Sequence, residues 1–394
     1  VYPGQLFATY DDQGWQKHSW DVRDRTLKTV RYLAKTGQSY TNQFVYDDAD
    51  HVRQHAYPAG LLTLTNVFDT GMNLVSVKQV GGDATEFFHA RGFNALGQSL
   101  GTDFGNGVST TNDYYPNSKR LKRVVTGKSG GTNLQDLAYT YDKVANLKGI
   151  TDGVYSGAAS ASLSSLVYDD LHRLTSLTRP TLSQTVSFSY SPIGNLTANG
   201  EGDGGPYGYG LRMPHAVKSA NGRRYAYDAN GNMLARGQQN LQYDAANRLI
   251  RVTVTTNALP SLDVTFGYAA DGARLWKQNG THLQIWIGAN YEEKQGRVLA
   301  HVLAGGTLAC TFDSTGTNVF EYYHPDHLRS TSILTDPSGN PIQHHEYSAF
   351  GRDRYTQSST AFPLSRRYTS QVLDEDTGLY YYNARYYDPE LARF

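Results

Sequence analysis

Two Asp-Thr-Gly triplets, at residues 69–71 and 376–378, are the part of this sequence that most directly indicates catalytic chemistry. Two aspartates that share one proton can activate a water molecule for peptide hydrolysis, as in an aspartic protease. Asp69, however, occupies a position that recurs in turns along the chain, and a structural role accounts for it. Because a short motif without its structural context is weak evidence, we rank an aspartic protease below the other functions discussed here.

Four residues near the end of the chain are the candidates for carboxylate catalysis: Asp374, Asp376, Arg385 and Asp388. In one interpretation they belong to a site that residues of a longer polypeptide complete. In the other, the aspartates lie in turns and the arginine forms a salt bridge. We favour the second interpretation, and predict that residues 1–394 neither cleave themselves nor act on other molecules.

A group of histidines with one aspartate could supply metal ligands: His324, Asp326, His327, His344 and His345. Their spacing fits no zinc signature. We therefore predict turn and surface roles for them, and no metal site.

Residues 200–210 form the one strongly glycine-rich segment. A phosphate-binding loop would need a Gly-Lys-Ser/Thr sequence followed by a helix, and neither is present. We predict a flexible connection here and no cofactor.

Five tyrosines near the C-terminal end could form a carbohydrate-stacking platform: Tyr380, Tyr381, Tyr382, Tyr386 and Tyr387. Side chains alternate between the two faces of a strand, so some of these rings must serve packing. No pair of acids at an identifiable spacing indicates glycoside hydrolysis.

The composition excludes several classes of protein. Lys plus Arg and Asp plus Glu number 36 each, a net charge of +0, which argues against a nucleic-acid-binding protein. No stretch is long and apolar enough to span a membrane, and no leader opens the chain. The single cysteine, Cys310, excludes an internal disulfide framework. Since the sequence begins with Val1, we expect it to be a processed product or an excised segment.

An aromatic residue followed by a polar turn recurs along the chain, and this repeat must position all the residues above. Successive copies from Tyr46 to Tyr190 are spaced by 22 to 27 residues. The aromatic positions are Tyr10, Tyr46, Phe68, Phe93, Tyr115, Tyr141, Tyr168, Tyr190, Tyr227, Tyr243 and Tyr268. Each repeat is long enough for two strands and two turns, so the unit is a β-hairpin.

Residues 225–254 show the hairpin unit twice. Asp228 and Asp244 each follow a tyrosine and can accept hydrogen bonds from backbone amides further along the turn. Gly231 tolerates a positive φ. One hairpin cannot bury its own face, so successive hairpins must pair into a long antiparallel sheet, and a sheet of so many twisted strands must curl. The mean hydropathy of −0.53 favours a curved wall around a space over a solid core.

The repeat pattern weakens after about Phe312, where His, Asp and Tyr become denser. We therefore predict two parts, a repeat shell over residues 1–312 and a module over residues 313–394 that closes the repeats, since terminal units of a repeat array must differ from the rest.

The sequence resembles the RHS/YD-repeat family. The hairpins are similar to its Tyr-Asp repeats, as in Tyr227–Asn232, and the C-terminal part is similar to its RHS-associated core through Tyr323–Leu328, Thr377–Tyr381 and Arg385–Pro389. The resemblance implies an all-β fold, in which a long antiparallel sheet of hairpins spirals into a hollow shell that the core module caps.

In bacterial members of this family, such as the C components of insecticidal toxin complexes and polymorphic effectors, the shell encloses a variable C-terminal toxin. The resemblance therefore implies a β-shell that encapsulates and helps to deliver a toxin polypeptide, secreted or delivered extracellularly by a bacterium. Teneurins use a similar shell for adhesion, so a cell-surface adhesion or carbohydrate-binding protein is the alternative.

The resemblance also implies partners. The toxin cargo would lie beyond the end of this chain. Because family shells commonly contain more repeats, we expect a second shell-forming chain or upstream repeats to pair with the first strand.

The sequence departs from the family pattern at three positions. Arg329, Ser370 and Ala392 stand where the family usually has glycine. Glycine tolerates backbone conformations that other residues resist, so the resemblance does not by itself imply the family's turn geometry at these positions. The family's self-cleaving aspartates follow the Arg-Phe pair found here as Arg393-Phe394. Aspartyl autoproteolysis is therefore expected only with downstream sequence.

Overall fold

The computed structural model describes residues 4–81, 85–202, 205–256, 259–314 and 319–394. In these ranges the regular structure is almost entirely antiparallel β-sheet. Within each sheet, every strand pairs with its neighbours in sequence. The predicted all-β fold built from a long succession of hairpins is confirmed.

Four sheets follow one another along the described part of the chain. The first contains β1 (Ala8–Asp11), β2 (Gly14–Trp20), β3 (Thr26–Leu33), β4 (Gln38–Tyr46), β5 (Val52–Ala56), β6 (Thr63–Phe68), β7 (Leu74–Gln79), β8 (Glu86–Ala90), β9 (Gly101–Phe104), β10 (Val108–Tyr114), β11 (Leu121–Lys128), β12 (Asn133–Tyr141) and β13 (Leu147–Asp152). The second contains β14 (Ser164–Tyr168), β15 (Leu174–Arg179), β16 (Gln184–Tyr190) and β17 (Leu196–Asn199).

The third sheet contains β18 (Gly208–Tyr209), β19 (Val217–Ala220), β20 (Arg223–Tyr227), β21 (Met233–Arg236), β22 (Gln239–Tyr243), β23 (Leu249–Thr256), β24 (Leu259–Tyr268), β25 (Arg274–Asn279), β26 (His282–Ile287), β27 (Tyr291–Lys294), β28 (Arg297–Ala304), β29 (Thr307–Asp313), β30 (Val319–Pro325), β31 (Thr331–Thr335), β32 (Pro341–Tyr347) and β33 (Asp353–Ser358). The fourth contains β34 (Val372–Asp374), β35 (Leu379–Tyr382) and β36 (Arg385–Tyr387). Short 3₁₀ helices lie at Pro58–Gly60, Gly157–Ala159, Pro180–Leu182 and Tyr368–Ser370.

Most hairpins of the repeat share one five-residue turn. Its first residue donates its N–H to the carbonyl of the fifth and accepts a hydrogen bond from the N–H of the fourth, which has a positive φ. A register shift at the residue before the turn makes this a hairpin with a bulge. The first residues of these turns are Asp21, Asp47, Asp69, Asn94, Asp142, Asp169, Ser191, Asp228, Asp244, Ala269, Asp326, Asp336 and Ser348.

The aspartate is preferred because its side chain completes the turn. Asp228 accepts hydrogen bonds from the backbone N–H groups of Asn230 and Asn232, both at 2.9 Å. Asp142 and Asp169 bind the equivalent N–H groups of their own turns in the same way. These bonds satisfy backbone donors that the sheet leaves unpaired.

The tyrosine before the turn joins neighbouring hairpins. The Tyr168 hydroxyl donates to the carbonyl of Leu147, and the Tyr190 hydroxyl to that of Leu174, both at 2.9 Å. In each case the carbonyl belongs to the residue just after the preceding turn. The same bond is made by Tyr46, Tyr209 and Tyr268. The Tyr347 hydroxyl donates to the carbonyl of Thr331, which follows the turn of residues 326–330. A tyrosine therefore buries an apolar ring and also binds a carbonyl at the end of the previous hairpin.

Three features of the repeat differ from the sequence prediction. Tyr10 precedes a two-residue loop, since Asp11 pairs with Gly14. Tyr115 begins a longer loop, in which the Tyr115 N–H donates to the carbonyl of Arg120. Pro116 breaks the pattern of the shared turn here. The shared turn also continues beyond Phe312, with further copies starting at Asp326, Asp336 and Ser348 in the list above.

The predicted division at 312/313 stays a prediction. Residue 313 lies within β29, and hydrogen-bonded pairing of the third sheet continues to Ser358 in β33. The sheet is also not one uninterrupted ladder. The backbone pairing between the first and second sheets is reduced to an isolated bridge between Ile150 and Leu163, because the loop of residues 153–162 intervenes.

The glycine-rich segment separates the second sheet from the third. Residues 203 and 204 lie outside the described residues, and the residues on either side of them are hydrogen-bonded. Buried Glu201 forms an ion pair with Arg179 and accepts a hydrogen bond from the N–H of Ala349 at 2.7 Å. Tyr209 donates to Leu196 at 2.6 Å. The described parts of the predicted flexible connection are therefore anchored to the wall.

The central strands of the third sheet, β25–β31, are buried on both faces. On one face, Val302 and Cys310 pack against Leu64 and Phe87 of the first sheet. The other face is covered by the segment that follows β33.

That second face places Leu299 and Tyr323 against Phe362 and Leu364. The central strands of the third sheet therefore contribute to two apolar clusters, one on each face. Strands buried on both faces lose the polar–apolar alternation that marks the earlier repeats, because neither face meets water.

The three positions that depart from the family's glycine pattern all have a left-handed backbone. The φ angle is 65° at Arg329, 60° at Ser370 and 56° at Ala392. The turns thus keep the conformation that glycine favours, although each side chain raises its energy by about 1–2 kcal/mol.

We expect Gly231→Val to destabilise the protein. Gly231 is the fourth residue of its turn and has a φ of 89°. A β-branched side chain resists this conformation, so the free energy of unfolding should fall by about 1–2 kcal/mol or more. Urea unfolding at neutral pH measures the change.

Two further variants control this experiment. Ala229→Val places the same side chain in the same exposed turn at a position without a positive φ, and should have a small effect. Arg329→Gly should raise the free energy of unfolding by about 1 kcal/mol, since it relieves a left-handed arginine. Equal effects of Gly231→Val and Ala229→Val would show that backbone conformation is not the cause.

Candidate functional site

The four predicted site residues lie in the last segment of the chain, residues 372–394, which we call the C-terminal strap. The strap contains β34–β36 and packs against the third sheet, where Leu379 and Tyr381 join a buried cluster with Val252 and Phe266. Short, strongly aromatic strands form here because their rings cover the sheet beneath.

Asp374 is the most buried member of the group. Its side chain is 0% exposed and lies 2.5 Å from a terminal nitrogen of Arg274 in β25. The Arg274 guanidinium lies over the rings of Trp286 and Tyr381, at 4.1 and 4.2 Å from their centroids. Burial opposes the charge of Arg274, but Asp374 outweighs this effect and raises the guanidinium pKa.

Asp376 shares a lysine with Asp374. The Lys277 ammonium lies 2.7 Å from Asp376 and 3.5 Å from Asp374. Asn279 also donates to Asp376, at 2.8 Å. Burial would raise the pKa of Asp376, but the hydrogen bond and charge of Lys277 prevail and lower it, so the carboxyl is ionised at neutral pH.

Asp388 forms a second buried ion pair, with Arg236 of β21. The two side chains make two contacts, of 2.5 and 3.0 Å. Arg236 also donates to the carbonyl of Thr377 at 3.1 Å, so one wall arginine holds two parts of the strap. Asp388 in addition accepts hydrogen bonds from the N–H groups of Glu390 and Leu391.

Arg385 is exposed and lies over the ring of Phe394, 4.5 Å from its centroid. With Asp388, Arg393 and Phe394 it lines a cleft of about 440 Å³ between the strap and the turns of β20–β23. Arg393 is bound to the wall through the Tyr209 hydroxyl at 3.0 Å.

The candidates therefore fall into separate groups. Asp374 and Asp376 share Lys277, whereas Asp388 is paired with Arg236 and lies with Arg385 at the cleft. Asp69 accepts hydrogen bonds from Gly71 and Asn73 of its own exposed turn. Hydrolysis by two carboxylates needs both to reach one water with different pKa values. Each aspartate instead neutralises a cation or completes a turn. That the four residues have no catalytic role stays a prediction.

The sequence analysis missed the cationic half of this site, Arg236, Arg274 and Lys277. All three are buried in strands of the wall. The sequence signal for these cations is a charged residue at a strand position that faces inward. Such a residue is almost never buried without a partner, so it indicates a buried ion pair. The partner itself lies more than ninety residues away in sequence, as the pairing of Arg274 with Asp374 shows.

The predicted surface role is wrong for His324, His344 and His345, which are buried. The group serves packing and hydrogen bonding. His324 is fully buried and its Nε2 lies 2.9 Å from the Thr335 hydroxyl, while burial lowers its pKa to about 3. His327 packs on the Tyr139 ring, and His344 on that of Tyr155.

The remaining members of that group are also engaged. Asp326 completes a turn by accepting from Leu328 and Ser330, both at 2.8 Å, and His345 contacts Gln343 at 3.0 Å. Within the described ranges, no group of three or more His, Cys, Asp or Glu side chains is placed to bind a metal ion.

The tyrosines of the strap do not form an open platform. Tyr380, Tyr381 and Tyr387 are buried, and the Tyr386 hydroxyl lies 3.0 Å from that of Tyr268. Carbohydrate stacking requires an accessible ring face, so these rings act chiefly in packing.

Comparison with known proteins identifies the wall and the strap together. A family model described as "Teneurin YD-shell" matches residues 138–394. The tRNA3(Ser)-specific nuclease WapA of Bacillus spizizenii is 25% identical over 336 residues, which cover 77% of this chain and 14% of that protein. Toxin subunit YenC1 of Yersinia entomophaga is 25% identical over 381 residues, covering 77% of this chain and 38% of YenC1.

Among solved structures, the crystal structure of TcdB2-TccC3 without its hypervariable C-terminal region matches with a TM-score of 0.85 at 20% identity. The match covers 99% of this chain and 22% of that one, and it shows a shared fold. The chain thus spans less than two fifths of the length of each of these proteins. Among the helices of the described residues, none has the length and apolar character to cross a membrane.

We expect Asp374→Leu to lower the free energy of unfolding by about 3–5 kcal/mol, because it leaves the buried Arg274 guanidinium without its counter-charge. The double variant Arg274→Met, Asp374→Leu removes both charges and should be closer to the wild type. Urea unfolding measures both.

The exposed pair of Arg251 and Asp263 provides the control for this prediction. Asp263→Leu should change the free energy of unfolding by at most about 1 kcal/mol. A similar loss in Asp374→Leu and Asp263→Leu would contradict the proposed importance of burial.

We expect His324 to make the protein less stable in acid. Its folded pKa of about 3 lies below the value of about 6.5 for an unfolded histidine, so only the unfolded chain gains this proton as the pH falls through that value. Acidification from about pH 7.5 to pH 5.5 should therefore lower the free energy of unfolding by about 1.4 kcal/mol through this residue.

Urea unfolding at both pH values, in wild type and His324→Gln, measures this contribution. The variant should lose about 1.4 kcal/mol less than the wild type over this range. His282→Gln, which changes an exposed histidine, should keep the wild-type dependence. An unchanged dependence in His324→Gln would contradict the prediction.

Proposed function

The chain belongs to the teneurin YD-shell family, and on this premise we propose that it forms part of a β-shell that encloses and helps to deliver a C-terminal toxin polypeptide. The observation that carries the proposal is the C-terminal strap, which buried ion pairs fix to the wall at Arg274 and Arg236. A strap held in this way fits a closed end of a container, and of the similar proteins YenC1 is named as a toxin subunit and WapA as a tRNA-specific nuclease.

The ion pairs also support a structural role over a catalytic one. Exposed charges on flexible side chains suit binding that must be reversible, whereas breaking a buried pair costs about 3–5 kcal/mol. The strap would therefore stay closed while a cargo is carried. Delivery to the outside of a bacterial cell is the localisation that this function requires.

The wall would be completed by further strands. β1 is the terminal strand of the first sheet, and an open strand edge is a template for pairing. We propose that upstream repeats or a second shell-forming chain pair with β1. The solved TcdB2-TccC3 chain is long enough for this, since the present chain covers 22% of it.

Protease protection tests the container. In the longest natural polypeptide that contains this chain, the segment following Phe394 should be digested by proteinase K at least about ten-fold more slowly than the same segment alone. Mass spectrometry of the fragments over time gives both rates. Digestion at equal rates would contradict encapsulation and favour an adhesion protein with an empty shell.

Two variants refine the experiment. Arg236→Ala removes the partner of buried Asp388 and should abolish much of the protection. Arg251→Ala removes an arginine of an exposed ion pair on the wall and should leave protection unchanged. Equal effects would show that protection does not depend on the strap.

A further inference from the structure

A cavity of about 200 Å³ lies where the first three sheets meet. Its lining comes from β12–β13, from β14–β15 and from the end of the third sheet at β31–β33. The isolated bridge between Ile150 and Leu163 lies in its wall, so the cavity sits beneath the seam between the first two sheets. It reaches the surface at the turn of residues 326–330, where Leu328 belongs to the lining and is 44% exposed.

One side of the cavity is aliphatic. Six side chains from the first two sheets and the loop between them form it: Leu137, Ile150, Leu163, Leu166, Leu174 and Leu177. An apolar cavity of about 150 Å³ can hold one benzene molecule. This side therefore has room for a phenyl ring or for an alkyl chain of similar size.

The other side carries two carboxyl groups of the third sheet, Asp326 in the turn between β30 and β31 and Glu346 in β32. Burial raises the pKa of each of them. The negative charge of Asp326 adds to the rise at Glu346, so the two groups are near enough to act on each other. Ionising two acids in one cavity is unfavourable unless a cation lies close to both.

The arginine beside these acids is already engaged. Arg354 lies 3.6 Å from Glu346. Its guanidinium also donates to the carbonyl of Ala158 at 2.6 Å and to that of Ser160 at 2.7 Å. Arg354 therefore compensates Glu346 only in part, because its hydrogen bonds hold it to the loop before β14.

The other basic groups add no free positive charge. Arg179 lines the cavity, but it is paired with buried Glu201. His344 contacts Glu346 at 3.0 Å, and a histidine side chain is ordinarily neutral at about pH 7. Two acids thus face one arginine, and the cavity has a surplus of negative charge.

The ring of His327 offers a third acceptor on the same side of the cavity. Its Nδ1 atom is buried and makes no hydrogen bond with the described residues. Burial lowers the pKa of His327, and a neutral imidazole has one acceptor nitrogen. A buried polar atom without a partner is uncommon, and a bound donor would satisfy it.

We propose that this cavity binds a small primary amine, with its ammonium group among Asp326, Glu346 and His327 and its apolar group against the aliphatic side. A primary ammonium has three N–H donors, which equals the number of acceptor side chains. The two acids would repel an anion, and a neutral molecule would leave their charge without a partner. In the described part of the chain these groups are not placed to bind a metal ion, so the cation is organic.

The amine would contact all three sheets at the seam. Because it binds only the folded chain, it should also raise the melting temperature. The inference goes beyond the proposed container and does not depend on it, since the cavity lies within the wall and makes no use of the segment after Phe394.

Isothermal titration calorimetry on the 394-residue chain at neutral pH tests the proposal with three probes of similar size. Phenethylamine carries the ammonium, phenethyl alcohol is neutral, and hydrocinnamate is an anion. We expect a dissociation constant of about 0.1 mM for the amine, at least about ten-fold weaker binding of the alcohol, and no binding of the anion.

Two variants locate the binding. Glu346→Gln removes one charge at nearly constant size, and should weaken the amine at least about ten-fold while leaving the alcohol unchanged. Ala161→Phe should abolish binding of both probes, because Ala161 lines the cavity and packs against its aliphatic side. The matched controls are Asp263→Asn, at an exposed carboxyl of the wall, and Ala229→Phe, in an exposed turn. Both controls should bind the amine as the wild type does.

Three results would overturn the proposal. The first is a wild type that binds no phenethylamine up to about 10 mM. The second is equal affinity for the amine and the alcohol, which would leave an apolar cavity without selectivity for a cation. The third is unchanged amine binding in both Glu346→Gln and Ala161→Phe, which would place the amine elsewhere on the molecule.

The comparison of the three probes uses only the wild type, so it decides the proposal even where a variant fails to fold. Protease protection of the segment after Phe394 is a separate measurement, so failure of the amine site and failure of the container are distinguishable.

Discussion

The structure depends on the hydrogen bonds of one five-residue turn. An aspartate accepts bonds from two backbone N–H groups, the fourth residue takes a left-handed conformation, and a tyrosine before the turn binds the carbonyl that follows the preceding turn. The first two interactions fix each hairpin, and the third fixes the distance between hairpins. Hairpins of this kind can therefore be added one after another along the wall, because every unit satisfies its own backbone groups and those of its neighbour.

The second constraint is burial of charge. The central strands of the third sheet lie between the first sheet and the C-terminal segment, and the sheet also contains the buried cations Arg236, Arg274 and Lys277. Desolvated cations need partners at fixed positions, and the aspartates of the strap supply them. These pairs make the position of the strap specific, because a displaced strap would leave several charges buried and unpaired.

The wall presents different surfaces for different contacts. Its terminal strand β1 offers backbone groups, its inner faces offer apolar and charged residues to the strap, and several of its turns expose aliphatic side chains. The same turn chemistry serves throughout, while the side chains within the turn vary. An all-β shell of repeats can in this way add contacts without changing its backbone.

The sequence by itself determined the local structure. The Tyr-Asp spacing predicted the hairpins, Gly231 predicted a left-handed turn residue, and the antiparallel all-β class followed, because these features depend on residues close together in the chain. Only the tertiary structure decided which charges pair. The sequence indicated Asp374 and Asp388 as candidate site residues, but their partners Arg274 and Arg236 come from distant strands. The winding of the sheet brings those residues together, and winding is set by packing between sheets, which local sequence patterns do not encode.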